Sequence, residues 1–183
     1  MCLYLALNPE IQRKVQAEVE NVIGNSFPQL DHRKSVPYTR AVIFESLRCS
    51  SLTPIGIARR VLEDMAVGGY IIPKDSLVFS NIYCAHHDPE VWDDPHSFKP
   101  ERFLSSDGTR VVKCNDLIAF SFGKCACPGE VLAKDQLFVF LTSILQRFVV
   151  SLDPSEKRPT MNAKCSITRF PLPHKLVLED RRN

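Results

Sequence analysis

The stretch Glu130–Arg147, EVLAKDQLFVFLTSILQR, limits what this chain can fold into more than any other segment. It predicts a strongly apolar helix. Charges interrupt it, and nowhere does the chain approach the ~18–20 consecutive apolar residues needed to span a bilayer. Such a helix must be buried against other elements, and 183 residues are enough for one compact domain with a sizeable core. Composition agrees: 44% hydrophobic, 24% charged, with no low-complexity tract. A net charge of +2 argues against a nucleic-acid partner or an acidic substrate. The opening Met1–Leu7 is apolar but short. It has no basic flank and no cleavage site, so it reads as the tail of a helix that begins upstream, not as a signal peptide.

Ahead of the apolar helix the pattern changes twice. Asn8 is expected to cap a helix with Pro9 at its first position and Glu10 in its first turn. Ile11, Val15, Val19, Val22 and Ile23 recur at helical spacing, and Gly24 stops the run. Residues 25–36 are polar and loop-like. A second helix is expected from Pro37 to about Cys49. Strand signals follow: Met65–Val67 and Tyr70–Ile72 flank Gly68-Gly69, a hairpin signature. Leu77–Ile82 is a further strand candidate. Residues 88–116 hold Pro89, Pro95 and Pro100 without a periodic segment, and an irregular stretch of that length is usually functional or disordered. Residues 148–179 read as short strands and turns. The predicted class is mainly α with small β-sheets, an α+β arrangement over residues 1–183.

Seven cysteines are present (residues 2, 49, 84, 114, 125, 127 and 165), an odd number without a C-x-x-C pair. A secreted disulfide framework does not fit, and a reducing, cytosol-facing environment does. Most of them are expected to be small buried apolar residues. Cys127 is the exception of interest. It lies in Phe120-Ser-Phe-Gly123-Lys-Cys-Ala-Cys127-Pro-Gly129-Glu, directly before the apolar helix. Glycine lets a backbone approach a flat ligand and adopt φ > 0. A helix N-terminus favours a thiolate over a thiol. A buried thiolate placed there suits a soft or borderline metal. Two other readings stay open on these residues alone: a packed core thiol, and a Cys125–Cys127 metal or redox pair. No second pair at zinc-ligand spacing supports the latter.

The wider sequence resembles the cytochrome P450 family. Phe120, Gly123, Cys127 and Gly129 fall on the fixed positions of the family's haem loop, F-x-x-G-x-R-x-C-x-G. Upstream and in order, Glu45-Ser-Leu-Arg48 resembles its E-x-x-R motif, and Phe98-Lys-Pro-Glu-Arg102-Phe103 its P-E-R-F region. Glu45 and Arg48 are three apart, on one helical face among Ala41, Val42, Phe44 and Leu47. The likeness runs from the end of the family's oxygen-binding helix to its C-terminal hairpin. It is nearest to microsomal members around family two.

The resemblance implies the C-terminal part of the P450 fold and a haem-thiolate monooxygenase. Its cofactor is haem b, with Cys127 as the axial ligand of the iron. Electron donation by that thiolate favours O–O cleavage. Phe120 is expected beside the sulfur, with Gly123 and Gly129 letting the loop lie close to the porphyrin. Glu45, Arg48 and Arg102 are expected to form a buried structural ion network. Arg59 aligns with a residue that binds a haem propionate, although an ordinary surface arginine is the alternative. Thr53, Ile57 and Ile167 match substrate-contacting segments loosely, or are plain core. Lys124 and Lys134 fall where an acidic reductase docks, or are simply solvated. The implied partners are cytochrome P450 reductase, O2, a small lipophilic substrate, and the endoplasmic reticulum membrane, gripped at its cytosolic face through an N-terminal anchor absent from the chain.

Two departures qualify this. Cys125 stands where the family has a propionate-binding arginine, and a thiol cannot replace a charge-assisted hydrogen bond. The family's acidic-Thr pair for oxygen activation is absent, so no residue is assigned as catalytic. The chain looks like the last two-fifths of a member. The alternative to an enzyme fragment is therefore a truncated, non-catalytic remnant that holds haem weakly or not at all.

Overall fold

The structure, a computed structural model, describes residues 1–182. Helix α1 covers Cys2–Leu7 and α2 covers Pro9–Val22. Asn8 joins them, but its side chain does not cap α2 as expected. Its Nδ2 donates instead to the Tyr4 carbonyl at 2.8 Å, closing the end of α1. Gly24 stops α2 as the sequence predicts, at φ +60°. The segment expected as loop over 25–36 holds a 3-10 turn, Leu30–Ser35. Helix α3 spans Pro37–Ser50. No side chain of its own caps it. Glu18 of α2 reaches across, accepting from the Tyr38 and Thr39 N–H groups at 2.9 and 2.7 Å and from the Thr39 hydroxyl at 2.6 Å. A carboxylate at a helix N-terminus satisfies orphan donors and opposes the helix dipole.

Four two-stranded antiparallel sheets complete the α+β architecture. Strand β1 (Arg59–Arg60) pairs with β4 (Leu77–Val78). The hairpin β2 (Met65–Val67) and β3 (Tyr70–Ile72) turns on Gly68 and Gly69, at φ +57° and +83°. Strand β5 (Phe148–Leu152) pairs with β8 (Leu176–Asp180), and β6 (Ala163–Cys165) with β7 (Arg169–Pro171). The strand predicted over Leu77–Ile82 is corrected. The β1–β4 ladder ends at Val78, a single bridge joins Asn81 to Ile55, and Asn81 accepts the Cys84 N–H at 3.0 Å to start a short helix α4, Ile82–His86. The irregular stretch 88–116 is broken by one 3-10 turn, Pro100–Phe103, and a bridge between Leu104 and Val111.

Helix α5 spans Glu130–Arg147, as the sequence predicts. Phe138, Leu141, Thr142 and Leu145 are its buried stripe, at i, i+3, i+4 and i+7. They pack with Ile11, Val15 and Val19 of α2 and Val42 and Ile43 of α3. Two buried glutamines tie α2 to β5. Gln12 donates to the Val150 carbonyl at 2.8 Å and accepts its N–H at 2.7 Å, and Gln16 donates to the Phe148 carbonyl at 3.0 Å. A second, smaller core joins Ala41, Trp92 and Phe103. The expectation of mostly buried cysteines is corrected: only Cys49 is buried, whereas Cys84, Cys125, Cys127 and Cys165 are exposed. Four of the seven lie on loops or sheet edges or at a helix start, away from the packed α2–α3–α5 faces. Among the described residues no helix is long and apolar enough to cross a membrane.

Candidate functional site

Helix α3 carries Glu45 and Arg48 on its inward face, both fully buried. Arg48 grips Glu45 with two parallel bonds, Nε to Oε2 at 2.8 Å and Nη2 to Oε1 at 2.9 Å. Arg102, at the end of the Pro100–Phe103 turn, adds Nε to Oε1 at 3.2 Å, and the Lys99 N–H donates to the same oxygen at 2.9 Å. One carboxylate therefore faces two guanidinium groups. The excess positive charge is met by carbonyls: His86 and Ser97 for Arg48, Asp93, Asp94 and Ser97 for Arg102. The Trp92 ring lies 5.0 Å from the Arg48 guanidinium and 5.9 Å from that of Arg102. Burial is the largest influence on Arg48 and works against its charge, but the Glu45 hydrogen bonds and charge, together with Cys49 and Tyr4, outweigh it and raise the pKa. Cys49, beside Arg48, is pushed up to about 12 by burial and the Glu45 charge, so it stays a thiol. The structure thus brings together Glu45, Arg48 and Arg102.

Sequence reasoning missed His86, the hub of this cluster. It is fully buried at the end of α4. Its Nδ1 is 3.0 Å from the Ser51 hydroxyl, and its Nε2 accepts the Ile118 N–H at 3.0 Å. Burial, with Arg48 and His87 nearby, pushes its pKa down to about 4, so the ring is neutral. The signal that could have revealed it is the i, i+4 relation to Ile82, also buried. A polar residue on an apolar helix face demands partners. Trp92, the chain's one tryptophan, was also missed.

The Cys127 loop begins just past Ile118. The Ile118 carbonyl accepts the Ser121 N–H at 2.9 Å, and the Phe120 carbonyl accepts the Cys127 N–H at 2.8 Å. Gly123 adopts φ +68° and opens a 3-10 turn, Gly123–Cys125. Gly129 is the N-cap of α5 at φ −87°, so it is not there for a left-handed backbone. A Cβ there would stand 3.8 Å from the Cys127 Sγ, an ordinary contact distance, so space does not require glycine either. The thiol is exposed, not buried as expected, because loop residues 122–128 all face outward. The described contact of Phe120 with Cys127 is through its backbone. Its ring lies 5.6 Å from the Lys134 ammonium, which also pairs with Glu130 and sits 5.4 Å from the Phe44 ring. Lys124 is exposed.

Arg59 is brought to this loop: its Nη2 donates to the Ser121 hydroxyl at 3.1 Å. Thr53, Ile57 and Ile167 are exposed, Ile57 and Ile167 at 89% and 88%, so the core alternative for them is corrected. They lie on connecting segments whose backbone is tied down beside them, by Arg169 N–H to the Leu52 carbonyl at 2.6 Å, Gly56 N–H to the Ser80 carbonyl at 2.8 Å and Ser166 N–H to the Thr168 carbonyl at 3.0 Å.

A model of the cytochrome P450 family matches residues 1–178. The chain belongs to the cytochrome P450 family. Cytochrome P450 2J1 of Oryctolagus cuniculus is 42% identical over 175 residues, covering 95% of this chain and 34% of that protein. Human cytochrome P450 2U1 is 37% identical over 180 residues, or 98% and 33% of the two chains. Human cytochrome P450 1A2 is 44% identical over 158 residues, or 85% and 31%. Two of the three carry the family-two designation, in line with the likeness drawn from the sequence. The chain spans about a third of the length of these relatives.

The loop can now be compared with what a P450 haem requires. Among the described residues no three histidine, cysteine or acidic side chains gather to chelate an ion. A haem iron is instead held by a single protein thiolate, a donor that the exposed Cys127 sulfur could supply. No side chain crowds the loop at 123 or 129: a Cβ at Gly123 would meet nothing within 4 Å, and one at Gly129 would only touch the sulfur at 3.8 Å. These residues fit an iron porphyrin. The one mismatch is Cys125, an exposed thiol at the motif's arginine position.

Proposed function

We propose that this chain contributes the thiolate side of a P450 monooxygenase site, with Cys127 as the axial ligand of haem b. The observation that carries this reading is the exposed Cys127 thiol, on a loop tethered at Phe120 and bare of side chains at Gly123 and Gly129. When bound, the haem supplies activation of O2 and insertion of one oxygen atom into a small lipophilic substrate, using electrons from NADPH through cytochrome P450 reductase. The protein's task is to hold and tune the cofactor. Cys127 supplies the negative ligand. Phe120 holds the Cys127 backbone and limits water near the sulfur. Arg59 supplies a cation for a propionate, a job that Cys125 cannot do. Glu45, Arg48 and Arg102 keep the scaffold beneath the loop rigid. Thr53, Ile57 and Ile167 offer exposed surface toward substrate, and Lys124 and Lys134 offer cations to the reductase. On this reading the protein works at the cytosolic face of the endoplasmic reticulum membrane.

The test is spectroscopic. The chain expressed with haem should give a red-shifted, thiolate-type Soret band as its ferrous carbon monoxide complex. Cys127→Ser should abolish it, and retention of the band would refute the ligand assignment. A second reading, in which the 183-residue polypeptide by itself holds haem weakly or not at all, is favoured by Cys125 at the arginine position. Cys125→Arg should then raise haem retention severalfold. No change would mean that the propionate is held elsewhere.

A further inference from the structure

The loop that carries Cys127 has little regular structure to hold it. Residues 113–122 contain no helix or strand, so the Ile118 N–H has neither a ladder nor a helical turn to bond to. It donates to a side chain, the His86 Nε2, at 3.0 Å. That bond determines the tautomer: Nε2 must be bare, and Nδ1 must carry the proton. The Nδ1–H then faces the Ser51 hydroxyl at 3.0 Å, and that hydroxyl donates to the Arg48 carbonyl at 2.8 Å. The His86 carbonyl accepts from the Arg48 Nη1 at 2.6 Å. Both the ring and the backbone of His86 are thus bound to Arg48. Two further bonds lead on: Ser121 N–H to the Ile118 carbonyl at 2.9 Å, and Cys127 N–H to the Phe120 carbonyl at 2.8 Å.

We propose that His86 is the positioning residue through which the buried Glu45–Arg48 pair holds the backbone of the Cys127 loop. It touches neither cofactor nor substrate in this role. It converts a rigid ion pair on α3 into a fixed height for Ile118, and so for the turn that ends at Cys127. The consequence for haem rests on the reading of Cys127 as the iron ligand; the hydrogen-bond relay does not.

Two variants separate positioning from mere core filling. In His86→Gln the side-chain oxygen reaches the position of Nε2 and can accept the Ile118 N–H. In His86→Asn the amide stops at the position of Nδ1, keeping the Ser51 contact and losing Ile118. In the full 183-residue chain, Asn should speed hydrogen exchange of the Ile118 and Cys127 amides about tenfold, the worth of one hydrogen bond. Phe138 and Leu141 should be unaffected, and Gln should stay within about threefold of the parent. Equal effects of Asn and Gln, or a rise at Phe138 and Leu141 matching that at Ile118, would overturn the proposal. Should Asn fail to fold, the parent protein decides: long-range nitrogen–proton spectra must show His86 as the Nδ1–H tautomer at neutral pH, and the other tautomer sinks the idea. With haem added, the thiolate-type fraction should fall several-fold in Asn and persist in Gln. If the parent lacks that band, the ligand assignment fails, while the exchange and tautomer results still judge His86.

Discussion

Glu45 satisfies two guanidinium groups with one carboxylate, and that imbalance makes it the most sensitive residue in the structure. Glu45→Gln would keep its shape but leave Arg48 and Arg102 as buried like charges. Removing one partner of a buried ion pair costs about 3–5 kcal/mol, so urea denaturation should show a loss of that size. The E-x-x-R spacing made the Glu45–Arg48 contact legible in the sequence, because i, i+3 residues share a helix face. The spacing alone does not show its burial, since on a surface helix it gives a solvated pair; only the family resemblance implied a buried one. His86 makes a second prediction. Its folded pKa, about 4, lies below the ordinary histidine value near 6.5 because it is buried, with Arg48 and His87 adding to the effect and Glu45 opposing it. The unfolded chain therefore binds the proton more readily. The contribution of His86 to stability is complete above about pH 6.5 and is lost as pH falls toward 4, a change of roughly 3 kcal/mol from the shift alone. His86→Gln should flatten the pH dependence of the denaturation midpoint between those limits.

Among the elements, the helices α2, α3 and α5 were legible from periodicity, and the β2–β3 hairpin from Gly68-Gly69. The hairpin's strands are largely exposed, so its turn can be tested without disturbing the core. Gly69 sits at φ +83°, where a left-handed backbone costs a residue with a Cβ roughly 1–2 kcal/mol. Gly69→Val should speed amide exchange across Met65–Ile72 by about tenfold and leave α5 unchanged. Helix α4 was not legible. Leu77 to Ile82 is rich in strand-forming residues, yet the ladder stops at Val78 and, past a single bridge at Asn81, that residue caps a helix that delivers His86 to the core. The buried Gln12 and Gln16 were equally hidden: amides in a helical stripe do not announce that a strand edge lies opposite.

Over the whole molecule, large apolar side chains remain exposed on several elements, among them Phe27, Tyr70, Phe122, Val131 and Phe140. Exposed apolar area of this kind marks surfaces that bind other surfaces, and a net charge of +2 offers little repulsion. The chain at micromolar concentration should bind a hydrophobic dye and self-associate. Sulfate should strengthen both effects; a dye-silent monomer in sedimentation would contradict this. What the sequence determined alone was whatever depends on near neighbours along the chain: helical stripes, the glycine turn, the Glu45–Arg48 pair and the spacing of the Cys127 loop. Only the tertiary structure set Trp92 over the pair and brought Arg59 to Ser121. It alone joined His86 to Ile118, 32 residues further along. Those outcomes depend on which chain segments meet in space: the burial that keeps His86 neutral, and the partners that keep Arg48 charged against its burial, exist only once they have met.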